Sequence, residues 1–218
     1  MRSVPVAIAV LLLAAGCGGA KSASSTGSSG RSNTVATCET VDYPLAREPV
    51  ILKAPSKPLD PTKTYTLVFD TTCGTFAVRL DTKRAPHTAA SLVSLARKKF
   101  YDDTPVLRIW KDVLVQAGDP TQTGAGQPGY QTIDVPPRGT QYTTGTVGMA
   151  KSQLDAAGVA GSQFFIMTKK VKFPSVYAVV GKVVSGMDVV KRIGRLGNAK
   201  QIPLQPIVIR TVSVDVGR

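Results

Sequence analysis

The 218-residue sequence has one histidine (His87), one tryptophan (Trp110) and only three cysteines. Neither a histidine-rich metal centre nor a four-thiolate zinc site can be assembled from that set. A Ser-His-Asp triad would have to run through His87, which stands early in a helical stretch and reads as a surface residue. Aromatic residues make up 6% of the chain, which leaves few rings on which bases could stack. No apolar run approaches the roughly 20 residues needed to cross a bilayer, and mean hydropathy is close to zero. What is present is enough apolar residue, 43%, to fill a real core, together with 27 Lys and Arg against 14 Asp and Glu, a formal charge of +13. Such an excess suits an acidic partner or an anionic lipid surface.

Residues 1–16 read MRSVPVAIAVLLLAAG. Arg2 precedes an apolar run from Val4 to Leu13, the pattern of a signal peptide. Ala14-Ala15-Gly16 then lead into Cys17, which resembles a bacterial lipobox with Ala14 in the place usually taken by leucine. The expectation is export, lipidation of Cys17 and a membrane anchor on the extracytoplasmic side. An ordinary secretory signal ending near a cysteine is the alternative. Removing Cys17 from the count leaves Cys38 and Cys73, an even pair that suggests a disulfide in an exported chain. If export fails, they are two free thiols. Nucleic acid is not an expected partner of an exported chain.

From Gly18 to Thr37 the sequence is dominated by Gly, Ser, Thr and Ala. It reads as a flexible tether over 17–37, with a root-mean-square span of about 25 Å. Residues 38–63, with Pro44, Pro49, Pro55, Pro58 and Pro61, read as an extended arm lying on a domain that occupies 64–218. There, TYTLVF (64–69) and the alternating Phe76, Val78 and Leu80 form a hairpin with Cys73 near its turn. Pro86 opens a helix with Ala89, Leu92, Val93, Ala96 and Phe100 on one face and Arg97-Lys98-Lys99 in its last turn. Short apolar runs at 106–110, 113–116, 146–150, 163–167 and 177–184 predict further strands. Residues 186–196 predict a second helix, and 207–216 a closing strand. Two short helices among many strands predict an all-β barrel or sandwich with helical caps.

Five segments then fall together: RAPHTAASLVSLARKKFYDDTPVLRI (84–109), VQAGDPTQTGAGQPGY (115–130), GTVGMAKS (145–152), GSQFFIMT (161–168) and YAVVGKVVSGMDVVKRI (177–193). In this order and spacing they resemble a cyclophilin over 64–216. The resemblance implies a closed eight-stranded antiparallel barrel capped by two α-helices. It also implies peptidyl-prolyl cis-trans isomerase activity on proline-containing polypeptides, without metal or cofactor. Position by position, the catalytic arginine falls on Arg108 and the glutamine of the neighbouring strand on Gln116. The proline pocket falls on Val113, Leu114, Gln163, Phe165, Phe173 and Tyr177, and the peptide-docking backbone on Ala150 and Lys151. The chain departs from the family pattern at Leu107 (usually histidine), at Val113 and Leu114 (usually Phe and Met), at Lys151 (usually asparagine) and at Tyr177 (usually histidine). Trp110, the only tryptophan, is expected to lie away from the site.

The chemistry suits such a chain. Rotating a peptide bond costs about 18–20 kcal/mol in lost resonance and breaks no bond, so no nucleophile is required. A fixed guanidinium beside the twisted imide would favour it over both planar forms, with Gln116 orienting Arg108 or the substrate carbonyl and Gln163 lining the pocket. Three functions follow: a lipid-anchored, monomeric isomerase that helps exported proteins fold; a non-catalytic cyclophilin-like module that binds proline-containing segments; or a structural envelope lipoprotein.

Overall fold

The computed structural model describes residues 37–218. The expected signal peptide over 1–16, the expected lipidation site Cys17 and all but the last residue of the expected 17–37 tether lie outside the described residues.

Strands β1 (Thr64–Thr71) and β2 (Gly74–Leu80) form the hairpin, with Thr71 opposite Gly74 across the Thr72-Cys73 turn. Period-2 alternation turns Tyr65, Leu67, Phe69, Phe76, Val78 and Leu80 into the core. Helix α1 (Pro86–Arg97) follows with proline at its first position, where the missing N–H costs nothing. Ala85, at the N-cap, has no side chain to cap the helix. The cap arrives from 46 residues away: buried Asp134 accepts from the Thr88 N–H at 2.7 Å and the Thr88 hydroxyl at 2.6 Å. The Asp134 carboxylate also holds the exposed His87 at 2.9 Å.

Helix α1 ends earlier than its basic run suggested. Only Arg97 lies in the last turn; Lys98 is the C-cap and Lys99 takes a left-handed φ of 57°. The Phe100 N–H returns to Leu95 O at 3.0 Å and the Lys99 N–H to Ala96 O at 2.9 Å, a Schellman closure. Phe100 is therefore buried by the reversal of the chain rather than by the helix face.

The remaining elements are β3 (Thr104–Trp110), β4 (Leu114–Ala117), β5 (Thr132–Ile133), β6 (Thr146–Met149), β7 (Val159–Ala160), β8 (Phe164–Met167), β9 (Val179–Ser185), α2 (Met187–Gly194) and β10 (Val208–Gly217). Eight of the strands close an antiparallel barrel in the order β1-β10-β3-β4-β8-β6-β9-β2, the architecture expected from the resemblance. The two-residue strands β5 and β7 pair separately; they are too short for any periodicity to reveal them. One core fills the barrel and reaches both helices, with Ile109, Val115, Val147 and Ile166 from the strands, Leu92 and Val93 from α1, and Val190 and Ile193 from α2.

The arm carries neither helix nor strand, in keeping with its prolines. It is tied to the domain at several points. Cys38 and Cys73 are disulfide-bonded, Glu39 N–H donates to Thr72 O at 2.7 Å, Arg47 N–H to Pro120 O at 2.9 Å and Leu52 N–H to Pro128 O at 2.7 Å. Leu52 and Leu59 pack against the core.

Candidate active site

The same alternation that fills the barrel builds a second surface on its outside. Across four neighbouring strand pairs the register runs Arg108–Gln116–Phe165–Gly148–Val179, from β3 to β9. Residues directly opposite share a face, and their chain neighbours Ile109, Val115, Ile166 and Val147 point inward. Two residues further along, Trp110, Leu114 and Met167 continue the outer face.

Around Phe165 lies an apolar cluster distinct from the barrel core. Leu114, Tyr142, Phe165 and Met167 are buried in it, with Val113, Ala150, Phe173, Tyr177 and Val179 packed around them. The Phe165 ring meets Tyr177 at 5.6 Å and Phe173 at 6.1 Å, both edge-on, the arrangement aromatic quadrupoles favour. Gly148 makes this possible: a Cβ there would stand 2.4 Å from Phe165 Cζ. Tyr142 staples the cluster, donating its hydroxyl to Tyr177 O at 2.8 Å and accepting from Tyr177 N–H at 3.2 Å. Burial raises the Tyr142 phenol above its ordinary range, so the donor persists.

Beside the apolar cluster is a polar cavity of about 240 Å³ lined by Gln116, Gln163, Ala150, Lys151 and the glycine-rich loop at 124–127. Gln116 Nε2 donates to Gln163 Oε1 at 3.1 Å, and Gln163 Nε2 donates to Gly124 O at 2.9 Å and Gly126 O at 3.3 Å. Fully buried Asp119 shapes that loop by accepting from Thr121, Gly124 and Gly126 N–H at 2.8, 2.7 and 3.1 Å. A Cβ on Gly126 would lie 1.9 Å from Asp119 Oδ1, so only glycine fits.

All the residues expected at the site therefore lie on one side of the barrel, but one of the two partners open to Gln116 is excluded and Gln163 is placed differently. Gln116 does not hold Arg108; it is bonded to Gln163. Gln163 faces the polar cavity rather than the apolar pocket, because the loop carbonyls capture its amide. The Arg108 Nε instead donates to Gln201 Oε1 at 2.5 Å. Gln201 sits in a loop organised by Asn198, whose Oδ1 accepts from Lys200 and Ile202 N–H; its φ is 63°, and its carbonyl accepts from Ile109 N–H at 2.9 Å. No motif in the sequence points to this distant residue.

Trp110 is also placed differently from expectation. It stacks on Phe173 at 6.4 Å, at the edge of the apolar cluster, since it shares an outward register with Arg108. Lys151 folds back, donating to Ser152 O at 2.9 Å and Asp155 O at 2.7 Å with its ammonium 5.8 Å from the Tyr177 ring centre. Among the described residues there is no cluster of three or more His, Cys, Asp or Glu side chains that could hold a metal ion.

A small closed barrel filled with side chains leaves its ligand site to the exterior, and here the exterior offers an apolar recess next to fixed polar donors. That is the layout of a surface-site barrel enzyme. Residues 66–214 match the family of cyclophilin type peptidyl-prolyl cis-trans isomerases, and this chain belongs to it. The chain is 34% identical over 158 residues to a peptidyl-prolyl cis-trans isomerase-like 1 of Aspergillus fumigatus, covering 69% of this chain and 96% of that protein. It is 35% identical over 137 residues to the protein of the same name from Neurospora crassa, covering 61% and 82%. A crystal structure of a Cryptosporidium parvum cyclophilin type isomerase shares the fold, with TM-score 0.62, 22% identity and 70% and 98% coverage. A second structure of that protein, in the presence of the dipeptide Ala-Pro, gives TM-score 0.61 at 23% identity over 69% and 98% of the two chains.

Proposed function

We propose that this cyclophilin isomerises X–Pro bonds of exported polypeptides at the cell envelope, tethered through a lipid on Cys17. The observation that carries the catalytic half is the outward row Arg108–Gln116–Phe165–Gly148, which sets a permanent cation two strands, about 10 Å, from an aromatic floor. The proline ring would rest on Phe165 between Val113, Leu114, Phe173 and Tyr177. The Ala150 N–H is already bonded to Gln163 O at 2.9 Å, so the Lys151 peptide unit is what the loop offers a substrate backbone. Gln116 and Gln163 would line the path of the flanking residues.

As the imide twists, the prolyl nitrogen becomes pyramidal and its lone pair localises. Arg108 NH donors aimed at that nitrogen stabilise the twisted state selectively. A preorganised donor of this kind is worth about 3–4 kcal/mol, or roughly 10²–10³ in rate. An isomerase assay on a proline tetrapeptide with the whole chain tests this. Arg108→Ala should lose that factor, and Arg108→Lys should not recover it, because a single ammonium cannot reproduce the rigid fork of donors. Equal, slow rates for wild type and Arg108→Ala would leave a module that binds proline segments without turning them over.

The envelope half rests on the signal-like 1–16 and on Cys17 in the sequence, and the Cys38–Cys73 bridge suits an oxidising compartment. Cys17→Ser should move the protein from the membrane to the soluble fraction. An unchanged distribution would remove the anchor from the proposal.

A further inference from the structure

The excess of positive charge is not spread evenly. A groove of about 840 Å³ on the β2–β9 side of the barrel is lined by Lys63, Arg79, Lys83, Arg84, Lys182 and Arg218 against a single acidic side chain, Asp81. Asp81 is already engaged: its Oδ1 accepts the Arg84 N–H at 3.0 Å and its Oδ2 lies 3.6 Å from Arg84 Nε. Arg79 and Lys182 are directly opposite each other on β2 and β9, a like-charge cross-strand pair that costs stability. Both are exposed, and among the described residues neither reaches a carboxylate. Two unneutralised cations held face to face form a seat for an anion.

The groove is continuous with the catalytic surface. Val179 lines it and also packs in the Phe165 cluster. Gln141 and Thr143, the neighbours of Tyr142, form part of its wall. Lys182 is opposite Thr146, two residues along β6 from Gly148, which puts Lys182 about 7 Å along the strands from the Phe165 row and roughly 12 Å from Phe165 itself. A polypeptide held at Phe165 and running over β6 and β9 would enter the groove roughly three or more residues from its proline.

Building on the isomerase reading, we propose that this groove is an exosite for acidic segments of the substrate polypeptide, so that the enzyme selects prolines with Asp or Glu a few residues away. The seat binds carboxylates electrostatically and leaves the chemistry at Arg108 untouched.

The test compares kcat/KM of the whole chain on a neutral proline tetrapeptide and on longer peptides with an Asp/Glu run either before or after the proline, for wild type and for Arg79→Glu/Lys182→Glu. Wild type should favour one acidic peptide by roughly tenfold at low ionic strength. The preference should vanish in about 1 M salt, where the Debye length is about 3 Å, and in the double variant. The neutral tetrapeptide should be turned over equally by both proteins. Turnover of the neutral peptide without any acidic preference overturns the exosite and leaves the isomerase intact. No turnover of the neutral peptide by wild type overturns the isomerase reading itself. Co-sedimentation with phosphatidylglycerol vesicles is measured in parallel; binding lost in the double variant, with no peptide preference, would assign the groove to lipid and refute the proposal.

Discussion

Arg108 carries the proposed chemistry, yet its hydrogen bond goes to Gln201 across 93 residues of sequence. By accepting the Nε–H hydrogen bond, Gln201 leaves the two terminal nitrogens of the exposed Arg108 guanidinium free to donate elsewhere. The same residue fixes the strand from behind through the Ile109 N–H, so Gln201 is a positioning residue for Arg108. Gln201→Met keeps length and removes the acceptor; Gln201→Glu restores one. The methionine variant should lose about tenfold in kcat with KM little changed, the equivalent of one hydrogen bond of about 1.4 kcal/mol. The glutamate variant should recover it. If both variants fall together, the loss lies in the backbone of the loop and not in the acceptor.

Loop 119–126 shows how an element depends on one buried group. Asp119 has no exposed surface, and its carboxylate gathers three N–H groups and the Thr121 hydroxyl. The carbonyls so presented hold Gln163, and Gln163 holds Gln116. Asp119→Ala leaves the buried Gly126 N–H and the part-buried Thr121 and Gly124 N–H groups unpaired and should destabilise the protein by roughly 3 kcal/mol, read as a lower urea midpoint. It should also raise KM, because the wall of the polar cavity loosens. A stability loss with unchanged KM would show that the loop does not line the peptide path. The glycines of this loop are evident in the sequence, but the pull of Asp119 on them is not, since an Asx turn reads the same whether it is exposed or buried.

Two features act on the molecule as a whole. The disulfide closes a separation of 35 residues between the arm and the β1–β2 turn. Cys38→Ser/Cys73→Ser should therefore lower stability by about 3–4 kcal/mol, and reductant should lower the wild type equally while leaving the double variant unmoved. A reductant effect on the variant would place the effect elsewhere. The second feature is alkaline sensitivity. Burial raises the phenols of Tyr101, whose hydroxyl donates to Ser162 O at 3.1 Å, and of Tyr142. The folded chain binds these protons more tightly than the unfolded chain does. Their contribution is complete below the ordinary phenol pKa of about 10 and is lost as pH rises beyond it. Thermal unfolding between about pH 8 and pH 11 should show a fall in Tm past pH 10 that is shallower in Tyr101→Phe. An identical slope in the variant would acquit Tyr101.

Local pattern alone determined the hairpin, both helices, the positions of the barrel strands and the candidate disulfide pair, because each rests on a period of two or 3.6 or on a count of cysteines. The order of the strands, and with it the closed barrel, was legible only through the resemblance. Three further facts depended on the folded chain: the Gln201–Arg108 bond, the capture of Gln163 by the glycine loop, and the meeting of Arg79 with Lys182. Each joins residues tens of positions apart through strand register and loop closure, and no local periodicity encodes which side chains those bring within hydrogen-bonding or Coulombic reach.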